Sequence, residues 1–142
     1  MISGNDLEAF GYWDMVDAYP EKKPTILDMV EEFRVTMGQD KDPCMSVQLI
    51  KEEYKEWIEA LNTLSDSTAL DDMKELKELA DLVYVIYGYA NSIGWDLDEA
   101  VRRVHQNNMG RCIQPDGTIK RREDGKIIKN PEYPKVNLED LV

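Results

Sequence analysis

The sequence predicts an all-α bundle, on three observations. Apolar residues recur at helical spacing in several separate stretches. Those stretches open on capping residues and mostly close on glycines, and no run alternates convincingly as a strand does. At 142 residues the chain suits one domain with its own core. Residues 25–142 read as a four-helix-bundle-like domain with a C-terminal basic tail from about 110, preceded by an irregular N-terminal arm over 1–24. In that arm Tyr12, Trp13, Tyr19 and Pro20 stand among acids. A segment packed on the bundle or on a partner subunit and a frayed terminus fit it equally.

Each helix has its own signals. Thr25 is the N-cap candidate of the first, with Asp28 three residues on; Ile26, Met29, Val30, Phe33 and Met37 share a core-facing side, and Gly38 ends it. Asp42-Pro43 breaks the chain. The second helix is expected from about Met45 to Leu64, with Val47, Ile50, Tyr54, Trp57, Ile58, Leu61 and Leu64 as its apolar stripe. A polar loop over 65–70 leads to a third helix, about Asp71 to Ile93, with Asp71 and Asp72 in its first turn where the helix dipole favours acids. Asp96 or Asp98 caps a fourth, which carries Leu97, Ala100, Val101 and Val104 and runs to about Met109. Asp116-Gly117 and Asp124-Gly125 are turn signals around Thr118–Arg122, where a small hairpin and an ordered loop both fit.

Charge narrows the function. The net charge is −12, and it is unevenly spread: residues 1–100 hold 8 basic and 23 acidic side chains, residues 101–142 hold 9 and 6. Such acidity argues against binding nucleic acid or a membrane surface, both of which need basic patches. Cys44 and Cys112 lack metal-ligand spacing and fit a reduced, cytoplasmic protein. Neither a signal peptide nor a membrane span is expected.

The chain is organised around two acidic clusters. Glu52, Glu53 and Glu56 lie on the second helix, Glu78 and Asp81 on the third, at spacings that put each cluster on one helix side. Asp81 opens the run Leu82-Val83-Tyr84-Val85-Ile86-Tyr87, apolar on all sides, and is therefore expected to be buried. Lys74 and Lys77, N-terminal to it and beside Glu75 and Glu78, look poorly placed to pair with it. Facing carboxylates repel unless cations sit between them, and hard divalent ions with oxygen ligands, Mg²⁺ or Mn²⁺, suit the place. By themselves Glu52, Glu53 and Glu56 fit a solvated face as well as a metal site. Asp81 and its apolar flank favour the metal.

At these residues the chain resembles the all-α nucleoside triphosphate pyrophosphohydrolases, the MazG-like and phosphoribosyl-ATP pyrophosphohydrolase-like group, whose signature is EExxE followed by ExxD on the next helix. Three more segments match in order: Glu32–Gln39 is similar to that family's EFHxAFGQ helix, Val104–Arg111 to its VHxSNMSK segment, and Glu123–Lys129 to its EDGKxxK tail. Asn107 stands where the family usually has Ser, and Gly110-Arg111 where it has Ser-Lys.

The resemblance implies a MazG-type fold and Glu53, Glu56, Glu78 and Asp81 as Mg²⁺ ligands, with Mn²⁺ as substitute. It gives Glu52 the task of orienting or deprotonating the attacking water, or of holding a further ion. Asn108, Arg111, Lys126 and Lys129 would meet phosphate or ribose, and Gln39 the base or sugar. A homodimer or dimer of dimers is implied, as is hydrolysis of a nucleoside triphosphate to monophosphate and pyrophosphate.

Other chemistry is excluded from the residues directly. A single histidine, His105, rules out a ferritin-like di-iron site and, with no GxSxG sequence, a Ser-His-Asp hydrolase; His105 is expected to be a hydrogen-bonded bundle residue. No Walker A or dinucleotide fingerprint occurs. Metal-assisted phosphoanhydride hydrolysis remains. A metal-stabilised helical interaction module without turnover uses the same carboxylates, and a phosphoribosyl-ATP substrate is equally open.

Overall fold

The computed structural model describes residues 22–62 and 69–142. Among these residues four α-helices stand in chain order: α1 Ile26–Thr36, α2 Pro43–Asn62, α3 Ala69–Ile93 and α4 Leu97–Arg111, followed by a short 3-10 turn at Glu139–Leu141. Among the described residues extended chain pairs at a single antiparallel bridge, Arg121 with Ile127. The fold is all-α. The N-terminal arm, up to residue 21, lies outside the described residues.

The helix starts follow from hydrogen-bond chemistry. Thr25 and Asp28 form a reciprocal capping box: the Asp28 amide donates to Thr25 Oγ1 at 3.2 Å and the Thr25 amide to Asp28 Oδ2 at 2.8 Å. Gly38, at φ 63°, takes the left-handed turn that ends this helix. At α2 the sequence reading needs correction. Asp42-Pro43 starts the helix, two residues before Met45, because Asp42 Oδ1 accepts the Met45 amide at 2.9 Å and proline loses nothing at a first helical position. Asp96 caps α4 by accepting the Glu99 amide at 3.0 Å. α3 also begins earlier than read, at Ala69, and α4 runs on to Arg111.

The packing is a hairpin with a helix across it. α2 and α3 pack along each other, and α1 lies on α3, where Phe33 meets Tyr84 edge-on at 6.1 Å. α4 touches α1 and the closing 3-10 turn. The core is thin: Val30, Ala60, Leu82, Tyr87 and Ala90 are buried, as is one charged residue, Glu78. Much of the predicted core face is open instead. Phe33, Met37, Val47 and Tyr54 are exposed, and on α3 so are Leu76, Leu79, Val83 and Ile86, which share one side of the helix. No helix of the described chain covers that side. No helix among the described residues is long and apolar enough to cross a membrane.

The tail turns at Gly117 and Gly125, both at positive φ, and comes back along α4. The Asn130 amide donates to the Arg111 carbonyl at 2.6 Å, Asn107 Nδ2 to the Pro134 carbonyl at 2.8 Å, and Arg103 forms a two-bond pair with Asp140 at 2.6 and 2.7 Å. Glu99, gripped by Arg102 and Arg103, has its carboxyl held down to about 2. Gly110 gives way to Tyr133: a Cβ there would stand 2.1 Å from the phenol oxygen, so only glycine admits the ring so close. Asn107 and Gly110, two of the three positions that depart from the resembled pattern, thus both serve the docked tail.

Candidate metal centre

Glu53 on α2 and Glu78 and Asp81 on α3 each bring a carboxylate oxygen within 4.8 Å of the other two. The packed α2–α3 hairpin makes this meeting possible, since one helix supplies a single acid and the other a pair at i and i+3. Glu78 is the buried member, 8% exposed, and its Oε2 has no hydrogen-bond partner; Glu53 Oε2 is buried and unpartnered too. Buried carboxylate oxygens without donors are costly. Desolvation first, then the charges of Glu56, Asp81 and Glu78, push the Glu53 carboxyl up, while Lys77 opposes them. One turn beyond Glu53, the indole N–H of Trp57 is likewise buried without an acceptor.

Two expectations fail here. Asp81 is not buried: its side chain is 38% exposed, and the apolar run it opens is not buried on all sides either, since Val83 and Ile86 are exposed. Nor is it unpaired, since Lys77 Nζ lies 2.7 Å from Asp81 Oδ2. Lysine four residues before an aspartate sits on the same helix side, so the pairing is an ordinary i,i+4 contact that the sequence reading overlooked. The same ammonium stands 3.6 Å from Glu78 Oε2, beyond hydrogen-bond reach.

The oxygens suit a hard cation. Ligand atoms on opposite sides of Mg²⁺ are about 4.2 Å apart, so the 4.8 Å span needs only a small inward movement. Glu56, three residues from Glu53, is exposed and outside the trio, near enough to act on Glu53 by its charge. Glu52 is exposed on α2.

A cleft of about 520 Å³ opens beside the acids, among α1, the start of α2 and α3. Leu49 on its wall is one turn before Glu53, and Tyr84 and Val85 are one turn after Asp81. Gln39 lines it, together with Arg34, Ser46 and Asn91, which the sequence reading did not single out for want of any motif. The basic candidates lie elsewhere. Asn108 is exposed and Arg111 half-buried at the end of α4, and Lys126 and Lys129 are exposed on the tail; none is hydrogen-bonded or ion-paired to the three carboxylates. His105 is exposed on α4 rather than inside a bundle.

Fold and acids together define a helical protein of the MazG-like nucleotide pyrophosphohydrolase superfamily. The chain belongs to the phosphoribosyl-ATP pyrophosphohydrolase family, whose model matches residues 28–108, from the capping box of α1 through both acidic clusters to α4. No curated protein matches the chain significantly. The family's activity is hydrolysis of an acid anhydride in a nucleotide-like substrate.

Proposed function

We propose that this protein hydrolyses a nucleoside triphosphate to the monophosphate and pyrophosphate with the help of Mg²⁺, or Mn²⁺ in its place. The observation that carries the reading is the convergence of Glu53, Glu78 and Asp81 with two buried, donorless oxygens among them. Glu56 joins them as a fourth ligand by turning towards Glu53. A divalent ion held there supplies charge neutralisation for the phosphates and makes a water more acidic. The chain's own residues do the rest. The cleft holds the nucleoside between Tyr84, Phe33 and Gln39, within the size range of small-molecule sites. Glu52, beside the ligands and open to solvent, orients the attacking water and takes its proton.

A second reading has one observation in its favour: the matching family is described by its phosphoribosyl-ATP substrate. Both substrates carry the same reacting group on different far ends. Purified protein incubated with a panel of ribo- and deoxynucleoside triphosphates and phosphoribosyl-ATP, and assayed for pyrophosphate, decides between them. EDTA should stop the reaction with every substrate. Release that persists in EDTA, or none from the whole panel, defeats the proposal.

Assembly follows from the open faces. Leu76, Leu79, Val83 and Ile86 leave one side of α3 apolar and exposed, the kind of surface that a partner contact covers. The acidic hairpin and the basic arm made by α4 and the tail complement each other in charge, so a second copy is the natural cover. It would also bring Arg111 and Lys126 towards the phosphates. Light scattering at micromolar concentration should give at least twice 16.4 kDa, and a monomeric mass would contradict this.

A further inference from the structure

Lys77 has no part in the chemistry so far, yet its ammonium stands against two of the three acids of the cluster. It lies 2.7 Å from Asp81 Oδ2 and 3.6 Å from Glu78 Oε2, on a side chain that is 64% exposed. We propose that Lys77 is an internal counter-cation of the acidic site, holding Asp81 and facing Glu78 until a divalent ion takes those carboxylates and displaces it. The inference rests on the metal reading above and adds how the site is kept together before loading.

The physical case has three parts. Glu78 Oε2 is buried without a hydrogen bond, so the carboxylates are not satisfied by the protein's own donors and a cation is called for. Asp81 Oδ2 belongs to the residue that closes the trio, and Lys77 engages it now; that carboxylate cannot turn fully to an ion while it is held at 2.7 Å by an ammonium. Leaving costs Lys77 little, because its stem is flexible and its head already faces water, and an exposed ion pair of this kind is weak. A divalent ion bridging several carboxylates outcompetes it. Lys77 therefore sets the concentration at which the site fills.

Removing the ammonium should then make loading easier, whereas a residue that supports the site would make it harder. The test is Mn²⁺ binding by calorimetry without nucleotide, on the full chain and on Lys77→Met, which keeps the stem. Binding should tighten about five-fold, the scale of one weak exposed ion pair. Lys77→Arg, which keeps the charge, should stay near the parent. Lys74→Met, an equal charge change three residues earlier, should gain clearly less. Melting gives a second readout: without Mn²⁺ the Lys77→Met protein should melt below the parent, and at saturating Mn²⁺ the gap should close. A tightening below about threefold, an equal gain in Lys74→Met, or a gap that persists in Mn²⁺ overturns the inference while leaving the metal reading intact. Absence of Mn²⁺ binding in the parent itself overturns both.

Discussion

Glu78→Gln should abolish hydrolysis and raise the melting temperature of the metal-free protein. The loss of activity should exceed about 100-fold, the upper end of what changes to a ligand's neighbours cost, because Glu78 is itself a proposed ligand. The rise in stability has a separate cause. Glu78 is a buried carboxylate whose Oε2 has no hydrogen bond, crowded by Glu53 and Asp81. Glutamine keeps its shape and removes the charge. Relief of that repulsion is worth roughly 1 kcal/mol, which in a domain of this size moves the melting temperature by about 3–4 °C. The two effects pull apart in the presence of the ion: Mg²⁺ should stabilise the parent and leave the variant unchanged. A variant that is inactive and also less stable without metal would mean that Glu78 is a structural residue. A variant with normal turnover would remove the metal site altogether. Glu53, Glu56 and Asp81 should show the same loss of activity with smaller gains in stability, since each is more exposed than Glu78.

How much of this was legible in the sequence depended on the range of the interaction. Thr25 with Asp28, and Gly38, mark helix ends through contacts of three or four residues, and they appear where expected. The carboxylate pair Glu78 and Asp81 was likewise local. Its meeting with Glu53 depended on α2 packing along α3, a contact between distant parts of the chain that the acid spacings alone do not specify. One error lay in weighing Lys77 by its sequence neighbours Glu75 and Glu78, although its i,i+4 spacing puts it on the same helix side as Asp81. Burial was the harder quantity. An apolar run such as Leu82–Tyr87 says that its side chains avoid water, and not whether the same chain covers them; Leu82 and Tyr87 are buried while Val83 and Ile86 are exposed. The return of the tail along α4 was invisible for a similar reason, since Gly110 records its packing against Tyr133 only as an absent side chain.

Hydrolysis in ¹⁸O-labelled water should place the label on the nucleoside monophosphate and none in pyrophosphate. The layout of the site gives the reason. The cleft that suits the nucleoside reaches Leu49 and Tyr84, each one helical turn, about 5.4 Å along the axis, from Glu53 and Asp81. A nucleotide whose sugar lies in that cleft therefore presents its first phosphate to the carboxylates, with the outer two carried beyond them. On the proposed reading, water oriented by Glu52 then meets the α-phosphorus. The bond from that phosphorus to the bridging oxygen breaks, the two outer phosphates leave together as pyrophosphate, and the proton passes to Glu52. Charge favours the same bond. The leaving group is a concentrated anion, and residues 101–142, the part of the chain in which basic side chains outnumber acidic ones, Arg111 and Lys126 among them, lie outside the acidic hairpin, where in the proposed assembly a second copy would meet it. Phosphorus NMR separates the outcomes, because ¹⁸O shifts the resonance of the phosphorus that bears it. Label in pyrophosphate would mean attack at the β-phosphorus and a nucleoside seated elsewhere than the cleft. Label in orthophosphate would mean a phosphatase, with the terminal phosphate at Glu53, Glu78 and Asp81.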